Sequence, residues 1–300
     1  MTHPFSREAF AELLARVAPD AARRERERVL LDTELSELRA LGFGALRVPA
    51  AHGGADLRLE ELFELLIELS AADASLGHVW RGHIAFVESL RAQGDAAPER
   101  WYRRVLAGDL IGNAQSERQE TARLETRLER DGGAALLTGT KYYTTGSIYA
   151  DWIHLSALDG DDRVAVTVGA HHPGVRSVDD WDGFGQPLTG SGTTTFDRVP
   201  VEADEIVPPD TDAARWHLLG SVFQLCLLAV VAGIAQRAHD DTVAFVVPRR
   251  RTFGFAGETL PREDPLVQLV VGELSVAART SRRLVLSLAA ELGSAVDAGA

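Results

Sequence analysis

Lys141-Tyr-Tyr-Thr-Thr-Gly-Ser-Ile-Tyr-Ala-Asp151-Trp152 is the stretch on which the reading of this chain turns. It follows a turn at Asp131-Gly-Gly and a β-like run from Ala134 to Thr140. It holds aromatic rings, hydroxyls and a glycine in a short span, and Lys141 is the only lysine in the chain. A planar ligand can stack on such rings while threonine hydroxyls bond its edge. An ordinary strand and turn with surface aromatics carries the same residues, so the flanking sequence has to decide.

On the N-terminal side the pattern is helical. Phe10, Leu13, Leu14 and Val17 recur at helical spacing, and Pro19-Asp20 interrupts that run. A helix is predicted from Arg23 to Leu41, with Gly42 as its C-cap. A glycine-rich loop through Gly54 follows, then a helix from Leu59 to about Ala72. Asp73-Ala-Ser75 caps another helix through His83 to Leu90, and a short one holds Trp101, Val105 and Leu106.

At Gly108 the character changes. Short β-like runs broken by Gly, Asp and Pro extend from Ile111 to Val207. Arg123 to Leu128, Ala135 to Thr140, Trp152 to Leu158, Val164 to Val168 and Gly192 to Phe196 are the predicted strands. Beyond Pro208-Pro209 the helical pattern returns from Arg215, with a second long helix from Pro265 to about Leu292. The class is therefore α+β. An N-terminal helical domain (1–108), a central β-barrel or sandwich (109–208) and a C-terminal helical bundle (209–300) are predicted. Helical layers on either side of a sheet leave a crevice in which a flat cofactor can lie.

Composition narrows the function classes. A net charge of −13 argues against nucleic acid, whose phosphates need basic patches. Cys226 is the single cysteine, so neither an intramolecular disulfide nor a CxxC metal site can form, and a reducing cytoplasm is the expected compartment. The first twenty or so residues lack the basic start and apolar core of a signal peptide. Leu218 to Ala235 is almost wholly apolar, but Ser221, Gln224 and its glycines favour a buried bundle helix over a membrane span. His171-His172 has no carboxylate at ligand spacing, so no metal is expected. Asp179-Asp-Trp-Asp182 reads as a solvated acidic turn.

Four motifs in order resemble the acyl-CoA dehydrogenase superfamily of flavoproteins, over nearly the whole chain. They are Leu41-Gly-Phe-Gly through His52-Gly-Gly54, Lys141 through Trp152, Ser191-Gly-Thr-Thr-Thr-Phe-Asp-Arg-Val-Pro200-Val201, and Arg250-Arg-Thr-Phe-Gly254 with Gln268 downstream. The resemblance implies a flavin, FAD or FMN. It places Tyr143 against the isoalloxazine, Thr145 near flavin N5 with Gly146 beside it, and Arg250, Phe253 and Gln268 at the phosphate and adenosine end across a subunit contact. A planar, always-charged arginine suits a pyrophosphate.

Two departures point within the family. Where dehydrogenases carry a Thr-Glu-Pro-Gly-type turn, this chain reads Ile111-Gly-Asn-Ala-Gln-Ser-Glu117, similar to the flavin-dependent monooxygenase branch. Asn113 is then the residue facing the flavin, and His83 in Trp80-Arg-Gly-His matches a histidine in the substrate-side helix, a candidate proton relay. Dehydrogenation needs a carboxylate base within reach of the substrate's α-proton. A minority of members supply it from the long apolar helix, and the matching position here is Gln224, which cannot act as that base. The reading is a two-component monooxygenase taking reduced flavin from a separate reductase, as a homodimer or homotetramer. An acyl-CoA dehydrogenase whose base lies outside this chain, or a non-catalytic assembly subunit, remains open. The resemblance also implies two further helices beyond Ala300, so the bundle is expected to be incomplete.

Overall fold

A computed structural model describes residues 5–118, 124–131, 134–208, 213–250 and 260–298. Helices occupy the chain up to Leu106: α1 (Arg7–Val17), α2 (Ala21–Glu27), α3 (Asp32–Ala40), α4 (Leu59–Ala72), α5 (Ala74–Val79), α6 (Arg81–Arg91) and α7 (Glu99–Leu106). The predicted helix over Arg23–Leu41 is two helices, because Arg28 takes a left-handed conformation (φ 52°) that ends α2. Gly42 (φ 76°) does terminate α3. Asp73 separates α4 from α5. Its extended backbone stops the first helix, and its carboxylate accepts from Leu76 N at 3.1 Å to start the second. Buried Arg24 fixes that carboxylate at 2.9 Å.

The strands are β1 (Ile111–Ala114), β2 (Arg127–Asp131), β3 (Ala134–Lys141), β4 (Trp152–Asp159), β5 (Asp162–Gly169), β6 (Val175–Val178), β7 (Thr193–Val201) and β8 (Ile206–Val207). They form one mixed eight-stranded sheet in the order β6-β7-β3-β2-β4-β5-β8, with β1 parallel to β4. The barrel-or-sandwich expectation thus resolves to a single sheet. Its core includes Leu137, Ile153, Leu155, Val166, Phe196 and Val199. β1, β6 and β8 escaped the sequence reading. β1 is buried at all four positions, so it shows no alternation.

Two long helices follow, α8 (Ala213–Val246) and α9 (Pro265–Ala298). Both pack on α4 and on each other, so the first and last helical regions share one core. α8 is long and apolar enough to cross a membrane by length and composition. One face is buried through Val222, Leu225, Cys226, Ala229 and Ala232. Contrary to the expected buried helix, its other face exposes Leu228, Val231 and Ile234.

Candidate functional site

The candidate site is built where β1, the loop after β3 and the start of β7 meet. Asn113 on β1 donates its backbone N–H to Thr145 O at 3.2 Å, which ties the strand to the loop. The Asn113 side chain is 6% exposed and its Oδ1 has no partner. A buried carbonyl without a donor costs on the order of 1–3 kcal/mol, so it marks a place for a ligand or water. Asn113 also crowds α6: a Cβ on Gly82 would lie 2.7 Å from its Oδ1. Only glycine lets the helix approach this closely.

The loop itself alternates inward hydroxyls with an outward ring. Thr144 Oγ1 donates to Gly192 O at 3.0 Å. Thr145 Oγ1 sits 2.8 Å from Ser191 Oγ, which is 2.8 Å from Thr189 Oγ1. Thr189 Oγ1 in turn donates to Gln186 O at 3.1 Å. Thr145, Ser191 and Thr189 therefore form a buried hydroxyl chain. Gly146 (φ 80°) closes the turn and donates to Thr189 O at 2.8 Å. Tyr143 adopts φ 57°, a strained conformation for an aromatic, and remains 47% exposed. Its ring meets Trp181 edge-on at 6.0 Å, and the Arg118 guanidinium lies 5.5 Å from its centre.

The 179–182 segment is more than a solvated turn. Asp179 binds Arg28 at 3.0 Å, and Asp180 accepts from Thr193 N and Oγ1 at 2.7 Å. These hydrogen bonds from Thr193 hold the Asp180 carboxyl below its ordinary range. They anchor Trp181 against Tyr143. Lys141, by contrast, is fully buried and turns away from any platform. Its Nζ pairs with Glu117 at 2.6 Å, which also accepts from Glu125 N and Thr126 N. Burial pushes the Lys141 ammonium down, and the Glu117 contact opposes that.

His83 is held by the fold. Its Nε2 faces Gly44 O at 2.9 Å and its Nδ1 accepts from Ile111 N at 3.2 Å. It is the neutral tautomer with both nitrogens engaged by backbone, and burial lowers its pKa to about 4. His83 thus ties β1 and the Gly44 loop to α6. Gln224 is exposed on α8, and its Oε1 faces Arg81 Nη2 at 3.4 Å.

Arg250 lies exposed past the end of α8, and Phe253 falls outside the described residues. Gln268, in the first turn of α9, donates to Arg262 O at 3.0 Å, and Arg262 reaches back to Val247 O. Both described residues thus sit at one end of α8. Phe223, where α8 meets α6, is about 35 Å along the helix from Val246 at 1.5 Å per residue. A single chain does not bring Arg250 and Gln268 to Tyr143. A cavity of about 220 Å³ lined by Arg39, Gly42, Gly44, Trp80, Leu106 and Asp109 is also separate from this loop. Sequence reasoning missed Ser191, Thr189, Trp181 and Arg118, because each meets the loop from a distant segment. The signal for Ser191 was its place at the head of a quoted motif.

Residues 3–109 match the acyl-CoA dehydrogenase N-terminal domain model. The chain is 29% identical to a dibenzothiophene monooxygenase of Rhodococcus erythropolis over 275 residues, covering 86% of this chain. It spans 66% of that relative's length. A methanesulfinate monooxygenase from Pseudomonas fluorescens superposes with a TM-score of 0.86 at 25% identity, over 98% of this chain and 76% of the other. An FMN-bound protein, TdsC, from Paenibacillus sp. A11-2 gives 0.83 at 27% identity, over 95% and 76%.

Proposed function

Because the chain belongs to the acyl-CoA dehydrogenase superfamily, we propose that it is a flavin-dependent monooxygenase using FMN, delivered reduced by a separate reductase, and O₂ on a small organic substrate. The observation that carries this is the pairing of a half-exposed aromatic, Tyr143, with an unpartnered buried amide carbonyl, Asn113 Oδ1, on the strand tied to Thr145 and its buried hydroxyl chain. A flavin presents a flat apolar ring system with a polar edge, and these residues offer a ring surface and polar atoms of both kinds. Reduced flavin supplies the electrons that activate O₂.

The chain's own groups do the rest. Tyr143 and Trp181 cover a ring face. Thr145 can donate to the cofactor edge, because its oxygen shares the Ser191–Thr189 chain and can reorient its proton. Asn113, fixed by its backbone bond to Thr145, orients one amide group beside the same edge. Gln224 in place of a carboxylate supports oxygenation over dehydrogenation, since no proton acceptor stands there. The exposed apolar faces of α8 and α9, with Leu228, Val231, Leu269 and Val276, support assembly with a second copy. That copy would bring an Arg250–Gln268 end to this site.

Thr145→Val is the direct test. The substitution keeps shape and removes one hydroxyl, so FMN affinity is expected to weaken by about 1 kcal/mol, roughly fivefold. Fluorescence titration with FMN measures it, and an unchanged Kd removes Thr145 from the site. Bleaching of bound oxidised flavin by an acyl-CoA would overturn the oxygenase reading itself.

A further inference from the structure

Three buried hydroxyls run in line from the loop after β3 to the turn before β7. Thr145 Oγ1 lies 2.8 Å from Ser191 Oγ, Ser191 Oγ lies 2.8 Å from Thr189 Oγ1, and Thr189 Oγ1 lies 3.1 Å from Gln186 O. Each hydroxyl has one proton, and a carbonyl oxygen has none to give. All three bonds are made in one arrangement only. Thr189 donates to Gln186 O, so Ser191 must donate to Thr189, and Thr145 to Ser191. Any other arrangement breaks a link among buried groups, which is costly.

The far end of the chain is fixed. Gln186 is left-handed (φ 50°), and His78 Nδ1 on α5 faces its side-chain Oε1 at 2.6 Å. Leu188 O accepts from Tyr149 Oη at 2.7 Å, and Thr189 O accepts from Gly146 N at 2.8 Å. The other contact to Gln186 O is the Thr189 backbone N–H, at a long 3.4 Å. The near end is open. Thr145 is buried, its proton goes to Ser191, and no described residue donates to its oxygen. Thr144 beside it is closed. Its Oγ1 donates to Gly192 O at 3.0 Å, so by the same proton count it accepts from Thr194 at 2.8 Å, which accepts from Ser177 at 3.0 Å. Of the two threonines, Thr145 is the one that presents an unfilled lone pair.

We propose that Ser191 and Thr189 are positioning residues that make Thr145 an acceptor, and that the site thereby selects reduced over oxidised FMN. The proposal rests on the flavin reading above. The oxidised isoalloxazine carries one N–H, at N3, and its N5 is an acceptor. Two-electron reduction places a proton on N5 and turns it into a donor. A ring N–H offered to Thr145 extends the chain to four hydrogen bonds ending on Gln186 O. A ring acceptor offered to Thr145 is met only when all three protons reverse, and Gln186 O is then left with its long backbone contact. The reduced ring is ahead by one buried hydrogen bond, which corresponds to about fivefold in Kd.

The test is anaerobic equilibrium dialysis of the full chain against FMN and against dithionite-reduced FMN. The wild type is expected to hold the reduced form more tightly. Ser191→Ala removes the acceptor of the Thr145 proton, and Thr189→Val removes the link to Gln186 O; each frees Thr145 to donate. Both are expected to lower the ratio of oxidised to reduced Kd by about fivefold. Thr189→Ser keeps a hydroxyl in place and is expected to keep the wild-type ratio. Because the ratio is read, a loss of packing that weakens both forms equally does not imitate the effect. A wild type that holds the two forms equally, or a ratio unchanged in either Ser191→Ala or Thr189→Val, overturns the proposal while FMN binding stands. A chain that binds neither form overturns the flavin reading and the proposal with it.

Discussion

Glu88→Gln is expected to destabilise the chain by about 3–5 kcal/mol, the cost of stripping one partner from a buried ion pair. Glu88 is fully buried and grips Arg47 with both oxygens, at 2.7 and 2.8 Å. Arg47, itself 2% exposed, also donates to Leu57 O at 2.7 Å and Asp297 Oδ1 at 3.1 Å. Arg91 completes the cluster, bonding Asp297 at 2.7 Å, Asp56 at 2.8 Å and Arg47 O at 2.9 Å. Asp297 lies in the last turn of α9, so this network fastens the C-terminal helix to the N-terminal helical region. With Gln at 88, Arg47 keeps only the half-exposed Asp297 for its charge. Asp297→Asn, at a position water can reach, is expected to cost about 1 kcal/mol or less. Urea unfolding of both variants measures the difference; a Glu88→Gln loss no larger than that of Asp297→Asn would show that the network is not what locks the helices.

None of that network could be read in advance. Arg47, Glu88 and Asp297 are far apart in sequence, and each is an ordinary charged residue in its own segment. What was legible rests on local periodicity. α4 matches its predicted limits because Leu62, Phe63, Leu66 and Leu69 repeat at helical spacing between Arg58 and Asp73. β4 and β5 were found because their residues alternate or run apolar between turns. The Arg28 break was invisible, since arginine is a good helix former and only the tertiary path of α3 demands a left-handed residue there. The same limit applies to the site. Tyr143, Thr145 and Asn113 came from motifs, and the loop does bring Thr145 and Asn113 into contact.

Histidine burial has a consequence in acid. His83 and His154 each have a pKa lowered to about 4, in both cases chiefly by burial. His154 sits edge-on to Phe86 at 5.2 Å with its Nδ1 2.9 Å from Thr167 Oγ1, and His83 faces backbone on both sides. In the unfolded chain both titrate near 6.5. The unfolded state therefore takes up protons first as pH falls. Their contribution is fully present above pH 6.5, is lost progressively down to about 4, and changes no further below that. Integrating the shift gives about 3 kcal/mol per histidine at the lower limit. His78, also depressed by burial and then by Arg81, acts in the same direction. The carboxylates held low by their partners, Asp297 and Glu117, lose their contribution only below the ordinary carboxylate range. In the interval from pH 6.5 to 4.5 the histidines lose their contribution, while Glu205, its carboxyl raised by burial, acts in the opposite direction. Unfolding free energy is expected to fall steeply across it, and His154→Phe, which fills the ring's place without a titrating nitrogen, is expected to lower the slope by less than half, since His83 and His78 still titrate. A flat profile over that interval, or a slope untouched by His154→Phe, would mean that these imidazoles are reached by water and titrate at their ordinary value in the folded chain.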